Sequence, residues 1–212
     1  VVACLGLGHL HLRRADMSRA VARLERGFEQ CRVWGIDVWF PLIASALGSA
    51  YALAGRLVEA LPLLEQAVEQ HASMQRMGGH SLWVTWLAEG YLMAGRREDA
   101  VRTAARALEL SVVHKERGHE AWILRLLAEL AAGDPVPDFD TAGGHLRRAI
   151  ARGEELGMRP LVARCRLGLG RIARGRGDRG EAVVHLTEAA AVLRELGMRL
   201  WREEAEAELA GL

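Results

Sequence analysis

Three groups of residues in this chain have types that could do chemistry. The segment Gly168-Leu169-Gly170-Arg171-Ile172-Ala173 has the G-x-G-x-x-A spacing of a pyrophosphate-binding turn. That chemistry needs a preceding strand, so that the glycines turn the chain and a helix N-terminus meets the phosphates. Here the motif lies in mid-helix, and its glycines read as close-packing positions. Gly170–Gly177 likewise lacks the Lys-Ser/Thr pair of a phosphate loop. The second group is the eight histidines. His9 and His11 are two apart and point to different helix faces, His80 and His119 each follow a glycine, and no His-Glu-x-x-His occurs. Surface or turn histidines are expected, with no metal. The third group would be a nucleophile with its base, and no glycine-flanked serine forms a nucleophile elbow. No cofactor and no catalytic role are expected.

One charge cluster stands out. Arg159, Arg164, Arg166, Arg171, Arg174, Arg176 and Arg179 lie close together in sequence, with only Asp178 opposing them locally. Arg164, Arg171 and Arg174 share one side of a helix. The cluster reads either as a solvated face or as a basic patch for an acidic peptide, an acidic neighbouring domain or a phosphorylated ligand. Nucleic acid is disfavoured, because no aromatics interleave with the arginines and the net charge is only +1.

The composition points to helices. Half the residues are hydrophobic but only 5% are aromatic, which suits close-packed helices better than sheets. Cys4, Cys31 and Cys165 are widely spaced, so no disulfide framework or zinc ribbon is expected and a reducing cytoplasm is the simplest compartment. No apolar run reaches membrane-spanning length. Val1–Leu12 has no basic leader and begins inside a helical pattern, as a piece of a longer protein would.

The positions that must hold these groups are set by a repeat. Glu155-Leu156-Gly157-Met158-Arg159 returns as Glu195-Leu196-Gly197-Met198-Arg199. Gly48, Tyr51, Gly55, Ala60, Leu64 and Ala67 have counterparts in Ala88, Tyr91, Gly95, Ala100, Ala104 and Ala107. Gly8, His11, Ala15, Ala20, Leu24 and Gly27 precede them, and Gly170, Ala173, Gly177, Ala182, Leu186 and Ala189 follow. A looser copy holds Ala128, Ala131, Ala142, Leu146 and Ala149. Small residues mark close approaches of two antiparallel helices, and Gly55, Gly95 and Gly177 supply left-handed ends. Trp39, Trp83, Trp122 and Trp201 each follow a glycine (Gly35, Gly79, Gly118, Gly197) and read as wedges packing on the preceding repeat. Helices are expected over 1–14, 18–34, 36–54, 57–77, 80–94, 97–116, 119–132, 138–156, 159–175, 178–196 and 198–211.

This spacing resembles the tetratricopeptide repeat, with about one extra helical turn per copy. The resemblance implies an all-α fold, an α-α superhelix of five antiparallel helix pairs plus a C-terminal capping helix. It implies one array over 1–212, with repeats near 1–34, 36–77, 79–116, 119–156 and 158–196 and the cap at 198–211. The capping helix would turn Trp201, Ala205 and Leu209 inward and its glutamates toward water. The long period, the Glu-Leu-Gly-Met-Arg echo and Leu167-Gly168-Leu169-Gly170-Arg171 resemble the C-terminal repeats of bacterial class III adenylate or guanylate cyclase–ATPase proteins, and arrays of LuxR-type and MalT-like regulators. Any cyclase or ATPase activity this implies belongs to upstream domains.

In such a superhelix the first helices of the pairs line the concave groove. The residues expected there are His9, Arg13, Ser45, Ser49, Thr85, Glu89, Arg125, Glu129, Arg164, Arg171 and Arg174. The family's carboxylate clamp uses Lys and Asn at such positions, and neither occurs here. The expected function is a non-catalytic scaffold binding a protein or peptide, or an upstream domain of the parent chain. The alternative is a metabolite sensor, with Trp83 and Trp122 as stacking walls.

Overall fold

A computed structural model describes residues 1–74 and 79–212. Among them are eleven α-helices: α1 (Val2–Arg13), α2 (Met17–Val33), α3 (Phe40–Leu53), α4 (Leu57–Ser73), α5 (His80–Met93), α6 (Arg97–Val113), α7 (Arg117–Ala132), α8 (Phe139–Glu155), α9 (Arg159–Gly175), α10 (Arg179–Glu195) and α11 (Arg199–Ala210). The expected end of the helix over 57–77 falls at 75–77, outside the described residues. None of the described helices is long and apolar enough to cross a membrane.

Local chemistry sets the boundaries. Asp16, Asp138 and Asp178 cap α2, α8 and α10, accepting from the amides of Arg19, Thr141 and Glu181 at 3.2, 2.9 and 2.9 Å. Gly55, Gly95 and Gly177 join the helices of three pairs in the left-handed conformation, as expected. Two turns use other residues: Ala15 and Lys115 carry φ of 59° and 56°. Lys115 makes the turn ahead of α7, and Gly118 lies in the first turn of that helix. Trp39 also departs from expectation. It ends a short 3-10 turn, Asp37–Trp39, and stays 39% exposed instead of wedging into a core.

The chain forms two compact units, Val1–Lys115 and Glu116–Leu212. In the first, α1 pairs with α2, α3 with α4 and α5 with α6. Gly8 meets Leu24 and Gly48 meets Leu64 so closely that an added Cβ would lie 2.5 and 2.7 Å from the leucine Cγ. Ala20, Leu24, Ala60, Leu64, Ala67, Ala100, Ala104 and Ala107 are wholly buried. The small-residue pattern is thus the seam where paired helices touch.

Two equivalent polar ties join consecutive pairs of this unit. Tyr51 donates to Glu25 at 2.7 Å, with Arg56 over its ring at 4.1 Å and bonded to Glu59 at 2.7 Å. Tyr91 donates to Glu65 at 2.8 Å, with Arg96 over its ring at 4.3 Å and bonded to Asp99 at 2.7 Å. Burial, reinforced by the bonded carboxylate, pushes each tyrosine pKa up to about 12. A third tie is buried: the Nδ1 atoms of His71 and His80 lie 3.0 Å apart, and the Trp83 ring stands edge-on to His71 at 3.9 Å. His80 was expected at a turn surface, yet it is 1% exposed, packed against the rings of His71 and Trp83.

In the second unit α7 pairs with α8 and α9 with α10, and α11 packs on α10. One cluster joins Leu124, Ala128, Leu146, Leu161 and Ile172; another joins Leu167, Leu186, Leu193 and Met198, with Trp201 and Leu209 against it. The seam recurs where Gly170 faces Leu186, an added Cβ lying 2.5 Å from its Cγ.

Two outcomes follow from this packing. Gly170→Val should cost about 1–3 kcal/mol in urea unfolding, because the seam cannot hold the added carbons. Gly144→Ala, within α8 and in open space, should instead gain about 0.5–1 kcal/mol. Second, the only two tyrosines should ionise near pH 12 in an absorbance titration, against 10 for an ordinary tyrosine. Between pH 10 and 12 the folded chain keeps phenol protons that the unfolded chain has lost. The tyrosine contribution to stability should therefore be complete below pH 10 and vanish as the pH climbs through 12.

Candidate functional site

The groove positions of the first unit do not form an open polar surface. Ser45 is fully buried in α3, and its hydroxyl finds no hydrogen-bond partner among the described residues. Thr85 is 2% exposed, and its hydroxyl bonds the Ser81 carbonyl of its own helix at 2.6 Å. These two residues are buried against neighbouring helices, so they do not present the partner-binding surface expected of them. His9 stands 6.1 Å from Trp86, so α1 and α5 meet through aromatic rings across α3. Burial, and then the charge of Arg13, lowers the His9 pKa. Ser49 and Glu89 are half-buried, and Arg13 is exposed.

The second unit behaves differently. Arg125, Glu129, Arg164 and Arg171 line one cleft of about 290 Å³ between α7, α8 and α9. Its apolar walls are Ala128, Phe139, Leu146 and Ile172, and Gly168 leaves room on the α9 side. The glycine of the apparent dinucleotide motif is thus part of a cleft between helices, facing Leu146, with no phosphate turn. Arg125 is 2% exposed and ion-paired to Glu129 on the next turn. The side chain of Arg164 lies between two indoles, 5.3 Å from Trp122 and 4.7 Å from Trp201. Beneath the cleft, burial pushes the Cys165 thiol up to about 12 despite the nearby Arg125 and Arg164, so it stays protonated.

The arginine cluster is matched by acids from other helices. Arg159 pairs with Glu195, Arg166 with Glu154 and Glu188, and Arg176 with Asp140. Arg171 reaches Glu208 at 2.8 Å and Glu204 at 3.1 Å, and Arg174 reaches Glu208 at 2.6 Å. Burial opposes the charge of Arg171, but the bonds to Glu208 and Glu204 prevail and raise its pKa. The expectation that the glutamates of α11 face water therefore fails for Glu208, whose side chain is only 15% exposed. Trp201, Glu204 and Glu208 were missed as site residues, as were Phe139, Leu146 and Ile172. Their signal was the spacing: residues three and seven after Trp201 share its helix face.

No protein-family profile matches the chain, and no curated protein sequence matches it. Its fold is similar to several solved structures. BtubC (BKLC) from P. vanneervenii aligns with a TM-score of 0.69 at 20% identity, over 92% of this chain and 82% of that one. The apo form of RapI aligns at 0.68 and 10% identity, over 96% and 74%. Nearly identical TPR-like repeats from Podosopora anserina align at 0.58 and 20% identity, over 92% and 94%. The chain thus has an all-α fold of tetratricopeptide-like helix pairs, the α-α superhelix class.

The α9–α11 ion pairs are partly exposed, so solvent screens them. Glu208→Gln should cost about 1–2 kcal/mol in urea unfolding at low salt, and less at 1 M NaCl.

Proposed function

We propose that this chain is a non-catalytic protein-interaction module, and that its partner enters the α7–α9 cleft with an acidic segment. The observation that carries this is the convergence of Arg125, Arg164 and Arg171, together with Glu129, on one cleft with apolar walls. Guanidinium groups take carboxylates in paired hydrogen bonds, and a partly dry cleft strengthens them. The indoles of Trp122 and Trp201 flank Arg164 and orient its guanidinium. Of the expected groove residues, Arg125, Glu129, Arg164 and Arg171 line this cleft, whereas His9, Arg13, Ser49 and Glu89 belong to the first unit. The two units are read as stretches of one repeat array, the regulatory region of a cytoplasmic bacterial signalling protein. Its parent would be of the cyclase–ATPase or LuxR/MalT-like kind, and an upstream domain of that parent is one candidate partner.

A second reading takes a small carboxylate effector, because about 290 Å³ is near the lower size of small-molecule sites. The test is an array of Asp- and Glu-rich peptides, followed by fluorescence anisotropy with the best binder. Arg164→Gln should weaken that binder about tenfold, or roughly 1.4 kcal/mol, and added salt should weaken it further. Unchanged affinity in Arg164→Gln and in Arg125→Met would remove the cleft from the binding surface. Stabilisation by millimolar small carboxylates, with no peptide binding, would favour the effector reading.

A further inference from the structure

The arginines of α9 already have a ligand of defined form. Trp201, Glu204 and Glu208 occupy positions i, i+3 and i+7 of α11, one helix face. They meet Arg164, Arg171 and Arg174, which occupy one face of α9. The three contacts pair an indole with a guanidinium and two carboxylates with two further guanidiniums. The other face of α11 packs on α10 through Ala205 and Leu209, and of its own residues only Ala205 is fully buried, whereas α9 buries eight.

Two of these arginines serve both sites. Arg164 and Arg171 line the cleft and also bind Trp201, Glu204 and Glu208. An acidic group that draws Arg171 into the cleft competes with Glu204 and Glu208 for the same donors. Binding in the cleft and docking of α11 are therefore thermodynamically linked, each weakening the other.

We propose that α11 is an intramolecular occupant of the α9 arginine face. The partner this face fits is a helix bearing an aromatic residue followed, three and seven residues later, by carboxylates. Such a helix binds by displacing α11. The proposal rests on reading the cleft as a binding site and adds the partner's form and its internal competitor. The observed affinity is lowered by the fraction of molecules in which α11 is docked, so loosening α11 raises it.

The probe is a fluorescein-labelled peptide copying Arg199–Leu212, added to the full chain and to the double variant Glu204→Gln/Glu208→Gln. The amide replacements keep helix and volume, and circular dichroism checks the fold. The variant should bind the peptide about tenfold more tightly than the unaltered chain does. A peptide with glutamine at both carboxylate positions should lose that gain. In the unaltered chain, saturating peptide should speed amide hydrogen exchange within α11. Equal affinity for the two chains, binding indifferent to the peptide's carboxylates, or unaltered α11 exchange would each overturn the displacement. Binding to neither chain would also overturn it. The cleft reading has its own arm in the Arg164→Gln and Arg125→Met measurements with the best array peptide, so the two can fail separately.

Discussion

The structure depends on one steric constraint, the contact between a side-chain-free position on the first helix of a pair and a leucine on the second. Gly8 on Leu24, Gly48 on Leu64 and Gly170 on Leu186 repeat it with nearly the same geometry. The glycine costs the helix about 1 kcal/mol in propensity, so packing must more than repay it. Because the contact fixes how closely the helices approach, it also fixes how far the outward face of each first helix can project. Ser45 and Thr85 are short and end up buried, whereas arginines at comparable positions extend into a cleft.

What joins one pair to the next differs between the units. In the first, Tyr51 and Tyr91 each reach a glutamate 26 residues earlier, with an arginine stacked on the ring. In the second, Ala131 and Ala173 occupy the tyrosine register, and arginine–acid pairs take over. Arg171 with Glu208 and Arg176 with Asp140 span 37 and 36 residues. The separation is close to one repeat, as expected when the ties run between neighbouring pairs. Exchanging a half-buried phenol for exposed ion pairs makes these junctions softer and more sensitive to salt.

This explains which parts were legible in the sequence. Helix positions and the seam were, because both depend on spacings within 20 residues: the seam leucines Leu24, Leu64 and Leu186 are buried as the pattern requires. The arginine cluster was legible as a concentration of charge, but not its state. Its counter-charges lie a repeat away, and the helix that carries Glu204 and Glu208 reads locally as an amphipathic cap. The buried His71–His80 contact was hidden for the same reason, since its geometry depends on how α4 meets α5. The left-handed turn at Lys115 defeated a glycine-based reading, because a non-glycine residue can hold that conformation when the flanking helices fix it.

The near-neutral total charge bears on how such a module selects partners. With a net charge of +1 there is little long-range field to gather acidic ligands from solution. Attraction must be local, at the arginines that the fold concentrates around α9. Those arginines are satisfied within the chain, so a loosely placed acid offers them nothing that Glu204 and Glu208 do not already supply. Only a ligand that matches the spacing of the arginines and also covers Phe139, Leu146 and Ile172 adds interactions that α11 does not make with the cleft walls. Internal neutralisation thereby turns a basic face, which would bind acids indiscriminately, into one that discriminates by shape.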